Sequence, residues 1–414
     1  MGSGRRVRPV ARLGAFSHAP FAVIWIATTL SLTGLAISDT SSAWLMTTLN
    51  PDPRAVSMVQ VASTLPMFLC TIPAGALADM VEARRFLITL ETLVVVLMGI
   101  LGSVIFFDRL TPVVLLSTNF VLSVIWSLAA PAWLSITPLL VPPRDLAGAN
   151  AANSVGYNLS RDVGPAVAGL AIAKLGSYSP YWLFGVADLS SIAALVWWRA
   201  PKRFGASLTR KRIICALRIG FRHAFKNKRL KAAMVRTVAV YPFASAYLAL
   251  LPLIARQQPT YGAELYGILL AIVSAGAVLG SVALSWLQKR MGSSGIVAVA
   301  TCGLAIALVL FGLAGDLFLV GAAALIAGAA WTIVLSELYV SAQLALPDWV
   351  RGRGLSIFLT AIFGSIALGS AIWGFIAAKA GLEVALFTAA AGALLAIPLS
   401  WRWKLRSAEF AVSV

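Results

Sequence analysis

The sequence predicts an all-α membrane protein: twelve transmembrane helices arranged as two pseudo-symmetric six-helix bundles. Composition is the first reason. Hydrophobic residues make up 60% of the 414-residue chain and charged residues 12%, with a mean hydropathy of +0.89. A soluble domain carries about 25% charged residues, so this chain has too little polar surface to face water on all sides. The second reason is the form of the apolar runs, which are long and continuous rather than alternating. Backbone groups in lipid must be paired internally, which leaves helices or closed barrels. Continuous runs of about 20 residues select helices. The third reason is a basic stretch near the middle of the chain that divides the runs six and six.

In chain order the predicted spans are 21–45, 56–78, 86–107, 113–137, 149–173, 180–198, 232–254, 261–287, 296–313, 317–339, 354–377 and 382–401. Most connections are short, so consecutive helices are antiparallel neighbours. Residues 1–198 form the expected first bundle, 199–231 a cytoplasmic basic linker and 232–414 the second bundle. The polar, arginine-rich start leads into an apolar run of full spanning length, which argues against a cleaved signal peptide. The halves echo each other: Pro143 and Gly148 are spaced like Pro347 and Gly352, and Gly176 follows the first proline much as Gly381 follows the second. Tandem halves are a mark of transporters built around a midplane site.

Orientation follows from the basic residues of the loops. With the N-terminus in the cytoplasm, 26 of the 33 Lys and Arg fall on the cytoplasmic side and five on the other, Arg161 and Arg236 lying within spans. Both termini and the linker are then cytoplasmic. The net charge of +18 is accounted for by anionic lipid headgroups and implies no nucleic acid. Cys70, Cys215 and Cys302 are too far apart for a metal site or a disulfide framework. No metal and no cofactor is expected.

The turn at residues 75–85 reads GALADMVEARR. Gly75, Asp79, Arg84 and Arg85 resemble the loop between the second and third spans of the major facilitator superfamily. Gly34, Trp44, Leu65-Pro66 and the run at 73–79 are similar to the branch of that superfamily that includes the bacterial enterobactin exporter. So are Asn158, Arg161, Gly164, Pro165, Ala166 and Gly169 in the fifth span, and the VRGR segment before the eleventh. The likeness runs from about residue 20 to 400. Met80 and Ala83 depart from the superfamily's basic residues, and the fourth span lacks the arginine of many proton-coupled members.

The resemblance implies a conformational latch of Gly75, Asp79, Arg84, Arg85 and Gly354, with the Asp79 carboxylate at the positive end of the eleventh helix. It implies a kink at Gly164, Pro165 and Gly169, either an exporter motif or plain packing. Charges inside spans are functional candidates by default. Asp39 is either functional or interfacial. Arg161 either pairs with Asp39 or Asp162 or meets substrate. Glu337 is the foremost proton candidate, or a polar residue at a span end. Asp188 reads as structural, and Glu91 as a partner of Arg84 or Arg85. The superfamily's cavity is lined by helices 1, 4, 7 and 10, which makes Asn119, Ser123, Trp126 and Trp331 cavity candidates. Trp44, Trp197, Trp198, Trp401 and Trp403 read as the interfacial aromatic belt.

The functional expectation is a monomeric secondary exporter of a siderophore-like, drug-like or amphipathic solute in the bacterial inner membrane. No GxxxxGK[ST] loop offers ATP use, so proton antiport supplies the energy. An importer or facilitator of the same fold is the alternative. No catalytic constellation of an enzyme is visible.

Overall fold

A computed structural model describes residues 14–78, 80–199, 227–257, 262–313 and 315–405. Twelve long helices follow in order: α1 (Ala19–Leu49), α2 (Pro53–Ala78), α3 (Ala83–Phe106), α4 (Pro112–Leu140), α5 (Leu146–Leu175), α6 (Ser179–Trp197), α7 (Lys228–Arg256), α8 (Gly262–Gln288), α9 (Ser293–Gly312), α10 (Leu317–Leu344), α11 (Asp348–Ala380) and α12 (Leu382–Ser400). Two short 3-10 turns, Ala15–Ser17 and Pro143–Asp145, precede α1 and α5. Most of the basic linker falls outside the described residues, and α7 begins at Lys228, capped by the Asn227 side chain, which accepts from Arg229 and Leu230.

The same packing scheme appears twice. α1 packs on α5 and α6, α2 on α4, and α3 on α4 and α6. Correspondingly α7 packs on α11 and α12, α8 on α10, and α9 on α10 and α12. The proline–glycine echo has a conformational cause. Gly176 and Gly381 end α5 and α11 with φ of 92° and 93°, a left-handed backbone that only glycine adopts without strain. Pro143 and Pro347 stand just before the same two helices.

Eleven of the twelve helices are long and apolar enough to cross a membrane. Their exposed outer side chains include Phe318, Leu134 and Leu399, as a hydrocarbon-facing surface requires. The exception is α5, which carries Asn150, Asn153, Ser154, Asn158, Arg161 and Asp162.

The halves meet along two seams, α2 with α11 and α5 with α8. Lipid supplies no hydrophobic drive between helices, so adhesion comes from close packing of small residues. At the second seam a methyl group on Gly267 would lie 2.7 Å from the Pro165 carbonyl oxygen, and one on Gly169 3.1 Å from that of Ala263. At the first, Gly374 lies against Ser57, Gly364 against Phe68, and Arg54 sits 5.9 Å over the Phe375 ring. Trp44 also crosses between the halves. It is buried and stacks on Tyr266 of α8 with centroids 6.2 Å apart. The belt assignment is therefore corrected for Trp44, and for the buried Trp198, while Trp197 is exposed as expected.

Within the second half, Gly328 of α10 faces Val273 of α8, whose carbonyl leaves no room for a methyl, whereas nothing lies within 4 Å of a methyl at Gly99. Gly328→Ala should destabilise the protein by about 1–3 kcal/mol, the range for overpacking. Gly99→Ala should be neutral or slightly stabilising. Thermal unfolding of the two purified variants, followed by fluorescence-detected size exclusion, checks this.

Candidate functional site

The polar residues of α5 are placed by helix geometry. At about 100° per residue, Asn150, Ser154, Asn158 and Arg161 fall on neighbouring parts of one face, and all four are exposed. The exposed apolar residues Val155, Leu159, Val163 and Leu170 occupy a different face. A third face packs on α1, with Gly156 against Thr29 and Gly164 against Ala36. The apolar exposed face suits lipid, and the polar one is turned to the space beside the other half, where Arg161 lies near enough to Tyr247 of α7 for its charge to act there. Its guanidinium stands 6.0 Å from the centroid of the Tyr157 ring, one turn away.

Asp39 of α1 also belongs to this space. Its side chain keeps solvent-accessible surface although protein surrounds it, and its charge acts on Tyr181 and on Tyr266 of the other half. Among the described residues no ion pair joins Arg161 to Asp39 or to Asp162. Asp162, half-buried, lies next along the helix and diverges from Arg161. An aromatic cluster lies inside the second half: Trp331 of α10, half-buried, meets the buried Tyr241 and Tyr247 edge-on, at 5.0 and 6.1 Å, and Tyr247 stacks on the buried Phe311 at 6.4 Å. Asp39 and Arg161 present one acid and one base to the polar groups of a solute.

Other expected site residues lie elsewhere. Glu337 is buried and accepts from Gln288 Nε2 at 2.6 Å, linking α10 to α8. Asn119 and Ser123 are buried, and the Ser123 hydroxyl donates to the Ser63 carbonyl of α2. Trp126 is half-buried, like Trp331, but the ring contacts gather around Trp331. Pro165 is buried in α5 and its carbonyl faces Gly267, so the glycine–proline segment forms the α5–α8 seam.

Of the expected latch, Asp79 lies outside the described residues. Arg84 donates from Nε to the Leu195 carbonyl at 2.7 Å and from Nη2 to that of Val196 at 3.0 Å, satisfying carbonyls that the end of α6 leaves unpaired. Arg85 pairs with Glu82 at 2.8 Å. Among the described residues a methyl group at Gly75 would meet nothing within 4 Å beyond its own helix, whereas one at Gly354 would run into Leu346. Glu91 does not pair with either arginine, contrary to expectation. It is 4% exposed and accepts from Trp133 Nε1 at 2.9 Å.

Two similarly packed sets of six helices, with an acid and a base exposed inside their spans, define a membrane transporter of the major facilitator type. The chain belongs to the transmembrane secretion effector family, whose model matches residues 10–413. It is 25% identical over 383 residues to the multidrug efflux pump Tap of Mycolicibacterium fortuitum, covering 88% of this chain and 91% of that one. Solved structures share the fold. A variant of the nucleoside transporter NupG superposes with a TM-score of 0.77 at 12% identity, over 93% of this chain and 99% of that one. A peptide-bound POT family transporter gives 0.75 at 14%, over 95% and 98%.

At the end of the molecule that bears both described termini, His18 Nε2 lies 2.9 Å from Asp145 Oδ2 and Arg144 Nε 3.6 Å from the same oxygen. This ties the start of α1 to the turn before α5. The hydrogen bond from His18, aided by Arg144, holds the Asp145 carboxyl below its ordinary value. A lowered carboxyl contributes stability above its unfolded value, about 3.9, and loses it as pH falls through the folded one. The melting advantage of the native protein over Asp145→Asn should be full at pH 6 and shrink below about pH 4. Melting curves at stepped pH measure it.

Proposed function

We propose that this protein exports small amphipathic molecules across the bacterial inner membrane, in exchange for protons, by alternating access. Both termini lie in the cytoplasm. The observation that carries this reading is the separated pair of exposed charges, Asp39 of α1 and Arg161 of α5, within the first and fifth spans. Similarity to a multidrug efflux pump along nearly the whole chain supports the direction of transport, as does the 26-to-5 split of basic residues the orientation. A charged group inside a span costs about 2.5–3.5 kcal/mol on insertion scales, so an acid and a base kept apart there serve something other than each other.

Asp39 takes the proton in this reading, ahead of the expected Glu337, because it faces the shared space while Glu337 is tied to Gln288 between two helices of one half. A solute bound beside Asp39 displaces its proton, and a returning proton displaces the solute. Arg161 keeps a second carboxylate or an anionic group of the solute in register. The two seams act as hinges between states, and Asp79 against the start of α11 latches the cytoplasmic side. The protein works as a monomer.

Everted membrane vesicles energised with an inside-acid pH gradient test the proposal, with ethidium as the fluorescent probe. Wild-type vesicles should accumulate ethidium and lose it on addition of a proton–potassium exchanger. Asp39→Asn should reduce gradient-driven accumulation at least tenfold while leaving ethidium binding to purified protein within about twofold; tenfold corresponds to about 1.4 kcal/mol. Gradient-driven accumulation only in right-side-out vesicles would establish import instead.

A further inference from the structure

A second set of ionisable groups lies inside the first six helices, away from the space between the halves. Glu91 of α3 and Asp188 of α6 are 4% and 0% exposed, and their carboxyl groups lie near enough to act on each other. Ser31 of α1 donates to Asp188 Oδ1 at 2.5 Å and Trp133 of α4 donates to Glu91 Oε1 at 2.9 Å. Asp188 Oδ2 has no hydrogen-bond partner in its buried surroundings. A carboxylate has no proton to donate, so this oxygen can be satisfied by the neighbouring acid only if one of the two is neutral. Two carboxylates in contact without a cation cannot both ionise.

Among the described residues no cation pairs with either acid. α4 has no ionisable side chain. On α3, Arg84 is spent on the Leu195 and Val196 carbonyls and Arg85 on Glu82. On α5, Arg161 lies beside Tyr157 and acts on Tyr247, and Asp162 and Lys174 form no ion pair with either acid. On α1, Asp39 is two turns from Ser31 and acts on Tyr181 of α6 and on Tyr266.

We propose that Glu91 and Asp188 form a proton-binding site inside the first six helices, in which the two carboxyl groups share a single proton. Ser31 and Trp133 fasten it to α1 and α4, so the proton's presence decides how α3 and α6 seat on those helices. Its loss releases a proton to water and leaves two adjacent carboxylates, which only separation or entry of water relieves. The proposal does not depend on the direction or energy source of transport.

Infrared spectroscopy of the purified full chain in nanodiscs reads the proton directly, through the carbonyl band of protonated carboxyl groups at neutral pH. Glu91→Gln and Asp188→Asn each supply an amide donor, so the remaining acid no longer needs the proton. Each single variant should lose band area equal to one carboxyl group, and the double variant should lose no more than either single. Unchanged area in the double variant, meaning two carboxylates in the native protein, would overturn the proposal. So would a twofold larger loss in the double variant, meaning two separate protons. Trp133→Phe keeps both acids and guards against a folding defect in the amide variants. It should shift the band without changing its area, and an unshifted band also overturns the assignment.

Discussion

Helices in a bilayer hold together only where their backbones come close, because the surrounding hydrocarbon offers apolar side chains nothing they would lose by staying apart. Small residues set that distance here. Gly169, Gly267 and Gly374 bring the halves together, and Gly276, Gly280 and Gly328 do the same for α8 and α10 inside the second half. Each contact places a hydrogen atom where any side chain would collide with a carbonyl or a neighbour. The space between the halves exists because these contacts are confined to seams. On α5 the change from seam to polar lining takes place between Pro165 and Arg161, about one helical turn.

The same solvent makes every polar group accountable. Water is absent from most of the interior, so a buried hydroxyl, indole or carboxyl needs a named partner. Ser31 has Asp188, Trp133 has Glu91, Trp25 donates to the Ala152 carbonyl and Trp373 to that of Pro242. Several of these bonds tie one helix to another two or more positions away in sequence. They fix the rotation of each helix about its axis, which hydrophobic packing in lipid leaves weakly specified.

Much of the fold was legible in the sequence because it depends on length and composition. Runs of about 20 apolar residues, Gly176 and Gly381 at matching positions and the central basic stretch were sufficient for twelve helices in two similar sets. The site was legible in part. Arg161 and Asp39 stood out as charges in apolar runs, and both are exposed. The stripe of Asn150, Ser154 and Asn158 was readable from its spacing of four and was missed because α5 was taken as an ordinary span. Glu91 was assigned to the arginines nearest in sequence, whereas its partners, Trp133 and Asp188, lie on two other helices. No periodicity within α3 reports that. Trp44 was read by its place at a span end, but end position does not distinguish a ring that meets lipid from one that meets Tyr266 across the seam.

The arginine clamp of the second half bears on how the molecule can be handled. Arg236, 2% exposed, donates to the Trp403 carbonyl at 2.8 Å and the Ser294 carbonyl at 3.2 Å, and lies over Trp401, while the Leu405 amide donates to the Ser294 hydroxyl. The peptide after α12 is thus part of the folded body as far as residue 405. A fluorescent reporter or affinity tag spliced in ahead of Trp403 would strip a deeply placed guanidinium of its Trp403 acceptor. The same cargo appended beyond residue 405 would leave that bond untouched.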